Sequence, residues 1–281
     1  MATVTTAQSE SSVGSFRGQP EQAMSFTTMM VHLDVERDCE QRVQLALALA
    51  DRFQAARIGV AGLAMQPAFA AGGVVVYCQP TEHECHAASA RLEDMGKKFR
   101  TQGQHLKQVE WRTALELPYE LVSRESRAAD LIIAGARHTG AGRPVLVVPD
   151  TVAPLQLRRV VVALKDTREC RRAVGDALPF LQRAKEVLLV RIGEGEAESS
   201  AKRTLSDVAA YLLRHRVAAV HDVWRQARGP VAGELLRLVQ DEKADLIVAG
   251  GYGHSRLGEW IFGGVTHELL ASSSVCCMLS H

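Results

Sequence analysis

Glycine lets a backbone meet a ligand with no Cβ in the way. Gly250, Gly251, Gly253, Gly258, Gly263 and Gly264 crowd into one stretch, AGGYGHSRLGEWIFGGVTHELL (249–270). The stretch follows the apolar run ADLIVAG, which has strand character, and it leads into a segment of helical period. In open α/β sheets ligands sit in the crevice beyond the carboxyl ends of the strands. Gly250 and Gly253 would allow close approach there. Gly263 and Gly264 stand at the start of the next helix, whose unpaired N–H groups and dipole favour an anion. The chemistry this spacing suggests is phosphate binding. The stretch is neither a Walker-type P-loop nor a complete dinucleotide fingerprint, and the plainer reading is that its glycines only turn and cap the chain.

Other reactive side chains read as structural. EHECH places His83 and His86 three apart with Cys85 between them, but no third metal ligand is locatable, so a polar helix start is expected. His138, His254 and His267 have no Ser or Cys in a nucleophile context. Asp34, Glu36 and Asp38 alternate along an extended turn and read as a solvated edge. Arg256 reads as a loop cation with some prospect of facing phosphate. Trp111 and Trp224 lack basic interleaving and read as strand packing. Cys276 and Cys277 alternate along an apolar run and read as core. No catalytic residue and no metal site are assigned.

The elements that must position the glycine stretch come from an internal duplication. ADLIIAG (129–135) and ADLIVAG (244–250) differ at one position. Each is preceded by a Trp-Arg pair, VEWR (109–112) and DVWR (222–225), and earlier still TMMVHLD (28–34) matches RVVVALK (159–165) in pattern. The chain thus divides into a polar tail at 1–24, expected to be disordered and dispensable, a unit at 25–150, and a second unit at 157–281, joined by TVAPLQ. Within each unit, β-branched runs alternate with helical segments, the pattern of a mostly parallel sheet covered on both faces.

In the second unit the expected strands are 160–164, 187–190, 220–224, 246–249 and 275–279. The expected helices are 169–183, with Pro179 in its last turns, then 201–214, 231–240 and 264–271. The first unit has lost most of the glycine loop and the helix after it. It has gained residues around MQPAFAAGGVVVYCQPTEHE, read as a loop with an added short strand. The fold class is therefore α/β, two doubly wound five-stranded units.

Composition narrows the partners. The 281 residues are 47% hydrophobic and 23% charged, and 33 basic against 32 acidic residues leave a net charge of +1. No global field draws in nucleic acid or an anionic membrane, so neither is expected as a partner. No apolar run is long enough for a membrane span and no secretory pattern opens the chain. Six cysteines without C-x-x-C spacing suggest reduced thiols and a cytoplasmic location.

GGYGHSRLGEWIFGGVTHELL resembles the universal stress protein signature G-x2-G-x9-G-[ST], with Gly250, Gly253 and Gly263 on the three glycine positions. The strand order, the linker and the closing VCCMLSH are also similar to that family, and the two copies together cover all but the tail. The resemblance implies two Rossmann-like domains that form an intramolecular pseudo-dimer, Val145–Pro149 pairing with Val275–Leu279. It implies ATP or another adenine nucleotide as ligand in the glycine-bearing copy. Gly250, Tyr252, Gly253, Gly263, Gly264 and Val265 would then hold phosphates and ribose, while Ala163, Leu164, Lys165 and Arg191, the last after strand two, would meet the base. Two positions depart from the pattern. Gly264 stands where a Ser or Thr hydroxyl reaches phosphate, and Lys165 stands where ATP-binding members carry an aspartate, retained in the first copy as Asp34. The function implied is a stress-type regulatory or binding protein with an unidentified protein partner. The alternatives are a slow ATP-hydrolysing or nucleotide-dependent enzyme, and a scaffold without ligand.

Overall fold

A computed structural model describes residues 24–63, 69–71, 74–76, 81–104, 108–136, 142–193, 198–251 and 264–280. In the first half the elements are β1 (Thr28–His32), α1 (Glu40–Phe53), β2 (Ala56–Gly62), β3 (Phe69–Ala71), β4 (Val74–Val76), α2 (Glu82–Gln102), β5 (Val109–Ala114), α3 (Pro118–Glu125), β6 (Leu131–Ala134) and β7 (Val145–Val147). The second half holds β8 (Arg159–Ala163), α4 (Arg168–Asp176), α5 (Leu178–Leu181), β9 (Glu186–Gly193), α6 (Glu198–Arg214), β10 (Val220–Gln226), α7 (Val231–Asp241), β11 (Leu246–Gly250), α8 (Gly264–Ser272) and β12 (Cys276–Ser280).

Ten strands form one sheet in the order β10-β9-β8-β11-β12-β7-β6-β1-β2-β5. From the centre outward each half repeats the same order, and among the described residues of this sheet every pairing is parallel except one. β12 meets β7 antiparallel, Cys277 opposite Val147, Met278 opposite Leu146 and Leu279 opposite Val145. Each of these strands would otherwise be a bare sheet edge, and the seam closes both. The apolar strand centres, LIIA in β6 and LIVAG in β11, are covered on both faces, which is why they carry no alternation of polar residues. One apolar layer joins the sheet to α1, α2, α4, α5 and α6. The other joins it to α3, α7 and α8. Both layers run across the seam. On the first, Phe26, Phe53 and Phe180 cluster with ring centroids 5.0 to 5.5 Å apart, two from one half and one from the other.

The extra residues of the first half include a two-stranded hairpin, β3 with β4, outside the main sheet. The helix expected at 169–183 is two helices that meet at Ala177, because Pro179 at the start of α5 cannot donate a continuing i→i−4 bond. Met24, expected in the tail, donates its N–H to Gln182 Oε1 and accepts from Arg183 Nη1, so residue 24 is tied to the second half. Residues 1–23 lie outside the described residues. Among the described residues no helix is long and apolar enough to cross a membrane.

Candidate functional site

The strand order reverses between β8 and β11, and the described members of the predicted ligand set other than Arg191 lie at the carboxyl ends of these two strands or at the start of α8. Ala163 ends β8, and Leu164 and Lys165 follow it; Gly250 ends β11, and Gly264 and Val265 open α8 with both residues exposed. Tyr252, Gly253 and Gly263 lie outside the described residues, as do His254, Arg256 and His138. Arg191 does not follow its strand. It lies within β9, opposite Trp224 of β10 and 9% exposed, because the β9–β10 ladder runs two residues past it.

The geometry assigns work to several of these groups that the motif alone did not suggest. A Cβ on Gly250 would lie 2.6 Å from Cys170 N and 2.9 Å from Cys170 Cα, so the absence of a side chain there is what lets α4 begin directly over β11. Gly264, by contrast, faces open space: a methyl group added there would have nothing within 4 Å. Leu164 donates its N–H to Val190 O, and Lys165 donates its own to Cys170 Sγ at 3.3 Å. The Cys170 thiol in turn donates to Ala163 O at 3.2 Å. The N–H groups of Leu164 and Lys165, two of the four residues assigned to the base, are thus already bonded. The Lys165 side chain is exposed, and neighbouring Asp166 is paired with Arg171 at 2.6 Å.

Cys170 is the residue that motif reading passed over. It is buried, and burial pushes its thiol up from the usual range. Its signal was in the duplication: Cys39 and Cys170 both stand five residues beyond the strand-end pair Asp34/Lys165. The structure gives them the same task, since Asp34 N bonds Cys39 Sγ at 3.2 Å. Asp34 spends one carboxylate oxygen on the N–H of Glu36, and Asp38 spends one on the N–H of Glu40. These carboxylates hold their own turn.

The remaining candidates are structural. EHECH lies at the start of α2, where Thr81 and Glu84 form a reciprocal capping box. Trp111 and Trp224 sit on β5 and β10, the two outer strands, and Trp111 packs on Phe99 at 5.6 Å. Cys276 and Cys277 are buried in β12, and burial raises their thiols to about 12 and about 11. His267 is exposed on α8.

Comparison with known proteins agrees with this architecture. Residues 156–281 match the model of the universal stress protein family. A universal stress protein from Archaeoglobus fulgidus DSM 4304 superposes with a TM-score of 0.70 at 14% identity, over 90% of this chain and 97% of the other. A putative universal stress protein from Pseudomonas aeruginosa UCBPP-PA14 gives 0.56 at 16%, over 91% and 93%. A functionally unknown protein from Pseudomonas aeruginosa PAO1 gives 0.55 at 16%, over 89% and 92%. At these identities the likeness is one of fold. No curated protein sequence matches the chain. Residues 156–281 are thus similar to the universal stress protein family, and the described residues of both halves share the mostly parallel α/β fold of a solved universal stress protein.

Proposed function

We propose that the chain is a tandem of two universal stress protein domains, the first degenerate, and that it acts as a nucleotide-responsive binding or regulatory protein. In this reading one adenine nucleotide binds per chain in the second half, and a protein partner reads the liganded state. The observation that carries it is the coincidence of a family-matched domain with a glycine-rich sequence that follows β11, whose carboxyl end lies where the strand order reverses. The repeated strand order and the β7–β12 seam support the tandem. Among the described residues the cysteines are free and mostly buried, which suits a reducing, cytoplasmic setting.

One observation favours a second reading, a scaffold whose crevice holds nothing. Gly250 is explained by the approach of α4, and the N–H groups of Leu164 and Lys165 are already bonded. The experiment is to denature the purified protein, identify any nucleotide released, and titrate the emptied protein calorimetrically with ATP, ADP and AMP. The expected result is one site per chain. Two sites per chain would refute the one-domain assignment, and no heat at millimolar nucleotide would replace it with the scaffold.

A further inference from the structure

The first half has its own crevice at the reversal of strand order, between β1 and β6, and a different kind of residue fills it. Where the second half carries Ala173, the first carries Arg42, in the first turn of α1. Arg42 is 7% exposed. Its Nη1 donates to His32 O at 3.0 Å and lies 3.5 Å from Cys39 Sγ, while its Nε has no partner. A Cβ on Gly135 would come within 2.6 Å of Nη2, so the guanidinium lies across the end of β6. Among the described residues no carboxylate pairs with it.

A guanidinium stays charged at any ordinary pH, and burying it without a counter-charge is costly. Arg42 also lines a cavity of about 290 Å³, together with Arg37, Asp38, Cys39, Gln41, Pro149 and Asp150. The N-terminus of α1 borders the same space; its N-cap residue Cys39 makes no side-chain cap, and its first N–H, that of Glu40, is bonded to Asp38 Oδ1. Two carboxylates also face the cavity. Asp38 is held by the Glu40 N–H, and Asp150 makes a loose 3.9 Å contact with Arg37, both partners being well exposed. Exposed contacts of that kind exchange readily.

We propose that this cavity is a phosphate site in the first half, separate from the nucleotide crevice of the second: Arg42 is the fixed ligand, and Arg37 turns from Asp150 to the bound oxyanion. The volume lies at the lower edge of small-molecule pockets, suiting inorganic phosphate or a small phosphate ester rather than a whole nucleotide. The site does not use the glycine segment, so it stands or falls independently of nucleotide binding.

The test uses the full chain at constant ionic strength. Inorganic phosphate is added while the Arg42 Nε–H resonance is followed by NMR and Tm by calorimetry, with chloride as control. AMP and adenosine in parallel arms separate free phosphate from a nucleoside's phosphate. Phosphate is expected to shift the Nε–H resonance saturably and raise Tm. Arg37→Gln, a change at an exposed side chain that leaves the core untouched, is expected to weaken the effect on the order of tenfold, one charge-assisted contact. Arg42→Met is expected to abolish it. Should Arg42→Met fail to fold, the Arg37→Gln titration and the wild-type resonance decide. An unmoved resonance, or a phosphate response that Arg37→Gln leaves unchanged, overturns the site. A response to AMP alone assigns the phosphate to the nucleotide crevice and overturns it equally.

Discussion

At the scale of single residues, two glycines of one motif have opposite expectations. Gly250→Ala forces a methyl to within 2.6 Å of backbone that cannot swing aside, so a loss of about 1 to 3 kcal/mol is expected in denaturant unfolding. Gly264→Ser meets nothing and is expected to leave unfolding within about 0.5 kcal/mol of wild type. The motif's spacing was legible in the sequence, but this division of labour was not, because it depends on where α4 lands after the chain has wound back over the sheet. The same holds for Cys170: its identity was plain, yet only the fold brings its thiol to the backbone of Ala163 and Lys165. Cys276 and Cys277, by contrast, were readable as core from alternation within an apolar run. Their thiols, raised to about 12 and about 11, also set a pH dependence. Above the ordinary thiol value of 9.0 the unfolded chain loses these protons and the folded chain keeps them. Their contribution to stability is therefore intact at pH 8 and declines as pH rises from about 9 toward 11 to 12. Unfolding free energies at about pH 8 and about pH 10 in wild type and in a Cys276→Ala, Cys277→Ala variant check this: the wild type is expected to lose more.

At the scale of elements, periodicity located most helices and strands of the second half to within a few residues, since β-branched runs and helical spacing each bury a face that can be read locally. Helix ends were harder. Gln54, Arg216 and Lys243 adopt positive φ at or just beyond the ends of α1, α6 and α7, a conformation glycine takes more readily. No glycine marks these turns, so no stop signal stood in the sequence. Lys243→Gly is expected to stabilise the protein by up to about 1 kcal/mol by relieving the left-handed penalty, measured as a raised denaturation midpoint. The seam strand is the other telling element. Residues 156–281 expressed alone would leave β12 as an open edge, its β7 partner gone. That fragment is expected to dimerise through β12, as light scattering after gel filtration would report; a monodisperse monomer would mean the seam is not what covers that edge.

At the scale of the whole molecule, duplication was the feature that made the fold legible, because two matched copies fix one strand order and one place for each helix. What duplication hides is divergence inside the copies. Asp34 corresponds to Lys165, and Arg42 to Ala173, with the glycine-rich segment following only β11. The central claim is that the second half binds one adenine nucleotide, and that Lys165 and Gly264 are what weaken it. The direct measurement is calorimetric titration of ATP into wild type and into the Lys165→Asp, Gly264→Ser double variant, both in phosphate-saturated buffer so that any site at Arg42 is already filled. The expected result is one site per chain in each protein, with the variant tighter by about 1 to 3 kcal/mol through a restored carboxylate acceptor and hydroxyl donor. A variant that still shows no heat with ATP, or one that binds no more tightly than wild type, would contradict it.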